Sequence, residues 1–134
     1  MYFGHIGDSR IYYQPFDGEF RQLTHDHSHV GWLRRTGQLT EREARNHPRK
    51  NALHQALGAG HQFLEPDVGA VGIQPGDRFL LCTDGVVDGL WDRRLEELLR
   101  SKGDVHGLAQ SVVQDAVEQS GRDNATAVVV EIRG

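Results

Sequence analysis

Residues 78–90, RFLLCTDGVVDGL, carry an unbroken apolar run, Phe79, Leu80, Leu81 and Cys82, that stops at Thr83, Asp84 and Gly85. A short continuous apolar run bounded by turn residues is the pattern of a strand covered on both faces, so this segment is expected at the centre of a sheet. A carboxylate beside glycine at such a strand end is held by the sheet and still free to face a ligand. Two further aspartates occupy similar places, Asp8 in FGHIGDSRIYY and Asp123 in GRDNATAVVVEI. Each alone is ordinary turn chemistry. Their joint occurrence points to metal-dependent chemistry, because converging carboxylates suit a hard divalent cation such as Mg²⁺ or Mn²⁺.

Working outward from the central run, residues 1–6 and 10–14 read as a hairpin turning through Gly7, Asp8 and Ser9, and residues 19–23 resume the extended pattern. Between residues 26 and 47 apolar positions are interleaved with charge, which predicts two short exposed helices separated by Gly37. Thr40 followed by Glu43 is a capping-box signal for the second, and Pro48 closes it. Residues 65–73 and 78–83 are two more strands joined by the turn at residues 74–77. Asp92 is positioned to cap a helix whose inward face is Leu95, Leu98 and Leu99, and residues 104–119 place Val105, Leu108, Ala109, Val112, Ala116 and Val117 at helical spacing. Residues 125–132 form a final valine-rich strand. Strands and helices fall into blocks, which predicts an α+β layered domain with mostly antiparallel sheet.

The 134 residues are 37% hydrophobic and 25% charged with a formal net charge of −4, which bounds the chain as one globular domain. Mild acidity excludes the basic face of a nucleic-acid binder; Arg34–Arg35 and Arg49–Lys50 are too short to supply one. With no run of 18 apolar residues and no charged start before an apolar segment, no membrane association is expected and a cytoplasmic location is the default. Cys82 is the single cysteine, so no internal disulfide forms, and its apolar surroundings mark it as a buried small hydrophobe. His25, His27 and His29 alternate, so on an extended strand they would share a face and offer a zinc site. His27 has another explanation below, and His5, His47, His54, His61 and His106 share no spacing and read as surface or locally hydrogen-bonded residues.

Taken together and in order, the motifs resemble those of the metal-dependent protein serine/threonine phosphatases, the PPM or type 2C family, in its compact bacterial form. HIGDSRIY is similar to the family's GDSR strand turn, and LTHDHS to its segment containing Asp-His-Ser. TGQLTEREARNHPRKNALHQALG is similar to the flap, here about residues 28–50, and the motif after it. GDRFLLCTDGVVDGL resembles the strand ending in Ser/Thr-Asp-Gly, and RDNATAVVV the closing Asp-Asn-x-Thr strand.

The resemblance implies a β-sandwich flanked by helices, and hydrolysis of phosphoserine and phosphothreonine on phosphoprotein substrates by a water activated between two ions, Mn²⁺ or Mg²⁺. It implies that Asp84 and Asp123 are metal ligands of that centre and that Asp8 and Asp88, with Asp84, form an additional metal site. Gly85 would let the backbone approach the metals, and Asn124 and Thr126 would fix the Asp123 turn. Arg10 reads as a structural ion-pairing residue and Asp26 as a turn-orienting one.

The chain departs from the family pattern at its start. The family's Asp-Gly-x-x-Gly motif, whose aspartate bridges the two catalytic ions, and an upstream phosphate-binding arginine have no counterpart; Asp17 lies on the wrong side of Asp8 to substitute. Asp84 and Asp123 are then expected to form a half-site. The sheet is expected to expose apolar surface that either a missing N-terminal segment or a partner covers. Thr83 replaces the commoner serine, and His54 and Gln55 stand where relatives often have Thr and Arg. The alternative from another class is a non-catalytic, phosphatase-like binding or regulatory module. A narrower one is a stress-switching phosphatase of the same superfamily, against which residues 28–50 read as a full flap.

Overall fold

The computed structural model describes residues 1–60 and 64–134. In chain order its elements are β1 (Tyr2–His5), β2 (Arg10–Gln14), β3 (Arg21–Gln22), α1 (His29–Arg35), α2 (Glu41–Arg45), β4 (Asp67–Ala70), β5 (Arg78–Cys82), α3 (Asp84–Gly89), α4 (Asp92–Arg100), α5 (Val105–Gln119) and β6 (Ala127–Glu131). They fall into two compact units, one of Met1–Ser9 and Thr24–Val71, the other of Arg10–Leu23 and Gly72–Gly134. No helix among the described residues is long and apolar enough to cross a membrane.

The second unit is an antiparallel sheet in the order β3-β2-β5-β6 with α3, α4 and α5. The apolar run of β5 is interior, as its composition predicts. Register aligns Tyr12 with Leu80 and Val129, and period-two alternation sends these to one face. There they pack with Cys82, Val86, Leu90, Leu95, Leu98, Leu99, Leu108, Val112 and Ala116. The inward leucines of α4 and three apolar positions of α5 are therefore as the helical spacing predicts, while Val117 remains half exposed. Asp92 is the first residue of α4, not its cap, and Trp91 occupies the cap position. Asp104 does cap α5, its carboxylate accepting the Gly107 N–H.

The first unit pairs β1 with β4, antiparallel, His5 opposite Asp67. This corrects the expected hairpin: β1 and β2 belong to different sheets, as do β4 and β5. The reason lies at Gly7. Its carbonyl accepts the His27 N–H at 2.8 Å and its N–H donates to His27 Nδ1 at 3.3 Å, so the turn is tied to residue 27. The two short helices form as predicted, with a complete capping box between Thr40 and Glu43. Helix α2 ends at Arg45, before Pro48.

Candidate active site

The last paired residues of β5 and β6 are Cys82 and Ala127. Beyond them the Thr83 N–H donates to the Thr126 carbonyl at 3.1 Å and the Thr126 N–H donates to Thr83 Oγ1 at 3.0 Å. This clasp extends the strand contact by one residue and brings the start of α3, with Asp84, against the loop that carries Asp123. Thr126 thus fixes the turn as expected, and the threonine in place of serine at 83 supplies the hydroxyl that accepts.

Gly85 and Asn124 meet directly. A Cβ on Gly85 would collide with the Asn124 carbonyl oxygen and stand 2.9 Å from its carbonyl carbon. Glycine is required here by a neighbouring backbone, a more specific reason than the crowding of a metal expected from the sequence. Four residues on, a Cβ on Gly89 would collide with the Ala116 carbonyl and lie 2.6 Å from Ala116 Cα. Two glycines on one face of α3 therefore let it seat against α5 and the 124 loop.

Helix α3 was not foreseen in the sequence; six residues beginning Asp-Gly give little helical signal. It places Asp84 and Asp88 one turn apart on the same side, both half-buried. Among the described residues no hydrogen bond or ion pair engages the Asp84 carboxylate, whereas Asp123, exposed, accepts the N–H of Asn124 on Oδ1 at 2.7 Å. Asp8 lies half-buried in the other unit, between β1 and β2. Asp84, Asp88 and Asp123 do not form a trio with ligand atoms within 4.8 Å of one another; among the described residues the trio that does is His5, His27 and Asp67.

Near the sheet, Arg10 Nη1 donates to the Tyr12 hydroxyl at 3.0 Å, and that hydroxyl donates to Asp92 Oδ1 at 3.1 Å. Arg10 is thereby built into the unit. Burial raises the Tyr12 pKa well above the ordinary phenol value, so Tyr12 remains a neutral link. Asp77 is fully buried and accepts from the Tyr13 hydroxyl at 2.7 Å, the Phe16 N–H at 2.8 Å and the Gln74 N–H at 2.9 Å. Its place in a surface-like turn concealed this role.

The histidines need two corrections. Residues 25–27 are not a strand and His29 opens α1, so His25, His27 and His29 share no strand face. His5 is not a surface residue: it is 9% exposed, neither ring nitrogen makes a well-formed hydrogen bond, and the Ser9 backbone offers it only a weak local one. Burial, with the neighbouring His27, holds its pKa below the ordinary imidazole value. His54 and His106 are exposed, and His47 Nδ1 accepts the Arg49 N–H, as expected. His61 lies outside the described residues.

The chain matches the family described as Stage II sporulation protein E (SpoIIE) over residues 10–133. It is 41% identical over 126 residues to a serine/threonine phosphatase stp of Listeria innocua, a match covering 94% of this chain and 49% of that protein. The fold is similar to that of the serine/threonine phosphatase PstP/Ppp of Mycobacterium tuberculosis, with a TM-score of 0.84 and 36% identity over 99% of this chain and 56% of that one. It is also similar to the catalytic domain of PstP in complex with two manganese ions, with a TM-score of 0.77 and 32% identity over 99% of this chain and 54% of that one. The chain belongs to the bacterial PPM, or type 2C, serine/threonine phosphatase family. It spans about half the length of the curated relatives it matches.

Proposed function

We propose that Asp84 and Asp123 are ligands of a divalent-metal centre that hydrolyses phosphoserine and phosphothreonine on proteins, and that Asp88 contributes with Asp84 to a further metal site. The observation that carries this reading is the Thr83–Thr126 clasp with Gly85 seated on Asn124, which holds Asp84 beside the Asp123 loop. The donor set is all carboxylate oxygen, the chemistry that hard Mn²⁺ or Mg²⁺ prefers, and among the described residues the Asp84 oxygens are not spent on other partners. When bound, such ions lower the pKa of coordinated water and offset charge on the phosphoryl oxygens. The chain's own task is to hold the carboxylates: Asp84 and Asp88 by one short helix, Asp123 by its hydrogen bond to Asn124.

These carboxylates are a half-site, and the reading includes the remainder of a PPM domain, with its bridging aspartate, as the completing element. One face of the sheet supports this. Leu81, Val128 and Val130, on the side opposite Leu80, are 38%, 52% and 37% exposed. Apolar sheet surface of this kind calls for a cover, and the rest of the domain is the cover we infer.

The test is Mn²⁺-dependent phosphate release from a phosphothreonine peptide, with a chelator control, by this chain alone and by the chain joined to the N-terminal half of a PPM domain. The expected result is chelator-sensitive turnover only in the completed protein, abolished by Asp84→Asn with the fold intact. Full activity of Asp84→Asn sinks the ligand assignment; silence of the completed protein favours a binding module.

A further inference from the structure

We propose that His5, His27 and Asp67 form a separate metal site, one that takes a borderline cation such as Zn²⁺ in preference to Mn²⁺ or Mg²⁺. All three belong to the unit built on β1 and β4. One ligand atom from each lies within 4.8 Å of the other two. The strand register sets this up, because His5 and Asp67 are directly opposed in the antiparallel pair and so present their side chains on the same side. His27 reaches them from the segment before α1, with Nε2 3.6 Å from Asp67 Oδ2 and its ring centroid 5.1 Å from that of His5.

The independent observation is the state of His5. A buried imidazole with no well-formed hydrogen bond at either nitrogen, only a weak one with the Ser9 backbone, leaves most of its desolvation cost uncompensated, and a cation that accepts one lone pair offsets it. The carboxylate is already oriented for this, since Asp67 Oδ2 accepts the His25 N–H at 3.1 Å, an outer contact of the kind that steadies metal ligands. Two imidazoles and one carboxylate with an open fourth position are a zinc donor set; a hard ion gains less from the nitrogens.

Loading asks for two adjustments. Metal bonds of about 2.0–2.1 Å in tetrahedral geometry set ligand atoms roughly 3.4 Å apart, so the trio closes slightly, with the His27–Asp67 edge at 3.6 Å nearly in place. His27 at present accepts the Gly7 N–H on Nδ1 at 3.3 Å, which puts its own proton on Nε2. Binding through Nε2 moves that proton to Nδ1 and gives up this long hydrogen bond, with no net proton change. The ion then joins β1, β4 and the approach to the flap, stabilising the folded unit by linkage.

The experiment is calorimetric titration of the 134-residue chain with Zn²⁺ in excess Mg²⁺, alongside His5→Ala, Asp67→Asn and Asp84→Asn. The expected result is one equivalent bound by the wild type, affinity lowered about 10–100-fold or more by each change in the trio, and affinity unchanged in Asp84→Asn. Long-range ¹H–¹⁵N spectra of the wild type keep the test decisive if a variant fails to fold: Zn²⁺ shifts the ring nitrogens of His5 and His27 and moves the His27 proton from Nε2 to Nδ1. Equal binding by His5→Ala, loss of binding in a folded Asp84→Asn, or ring resonances that Zn²⁺ leaves in place overturns the site.

Discussion

Of the buried apolar side chains among the described residues, Val30 alone belongs to the unit of β1, β4, α1 and α2; the others, from Tyr12 and Phe79 to Leu95 and Val112, fill the unit of the four-stranded sheet. The other buried side chains among the described residues of the first unit are polar: His5, Thr24 and Ser28. One half of the molecule is held by area removed from water, which is non-directional and large in sum. The other is held by caps, turns and hydrogen bonds, which are directional and individually worth about 1 kcal/mol. Substitutions should therefore act on the first kind of unit through volume and on the second through geometry.

The sharpest way to break this contrast is Leu95→Ala. Leu95 is fully buried beneath the sheet, and its truncation should cost about 2–5 kcal/mol in denaturant unfolding; a loss below 1 kcal/mol would show that the core is not carrying this unit. Gly85→Ala comes next. Its methyl must displace the Asn124 backbone, at a cost of about 1–3 kcal/mol, and chemical shifts of residues 123–126 should move with it.

Asp77 tests the polar element inside the apolar unit. Burial pushes its pKa up, but the Phe16 and Gln74 N–H groups and the Tyr13 hydroxyl outweigh burial and hold it below the ordinary carboxylate value. A depressed folded pKa gives stability that is present above the unfolded value and lost as pH falls through the folded one, here below about pH 4. Asp77→Asn should lower stability at neutral pH by about 1–2 kcal/mol and flatten the acid limb of the pH–stability curve; an unchanged limb would remove Asp77 as its source. The smallest effect is expected from Thr40→Ala, which deletes the Thr40 hydroxyl's bonds to Glu43 and leaves the Thr40 backbone N–H on the Glu43 carboxylate. The loss of about 1 kcal/mol should appear as faster amide exchange within α2, with the unfolding midpoint of the sheet unit in place.

What could be read in advance follows the range of the interactions. The interior position of β5, the leucine face of α4 and the Thr40–Glu43 cap depend on neighbours a few residues away, and each appears as foreseen. Strand pairing does not: residues 1–14 have the pattern of a hairpin, yet Gly7 spends its backbone groups on His27 and β1 finds its partner at residue 67. Helix α3 was hidden because its stability comes from glycine contacts with Ala116 and Asn124, not from its composition. Asp84 and Asp123 stood out as candidates, but the means of bringing them together, a threonine hydroxyl answering a backbone amide across 43 residues, has no local signature. The same holds for His5 and Asp67, whose relation exists only in a strand register.

Cys82 gives the molecule a gauge of its own motion. It is the sole thiol, 5% exposed, and lies in β5 between Arg10 on one neighbouring strand and Ala127 on the other. Its side chain packs in the core with Val86 and Leu90, so a thiol reagent reaches it only when this core opens, and the rate of labelling counts those openings. The strand that leads to Asp84 thus carries, at its last residue, a clock for how often the platform beneath that aspartate comes undone.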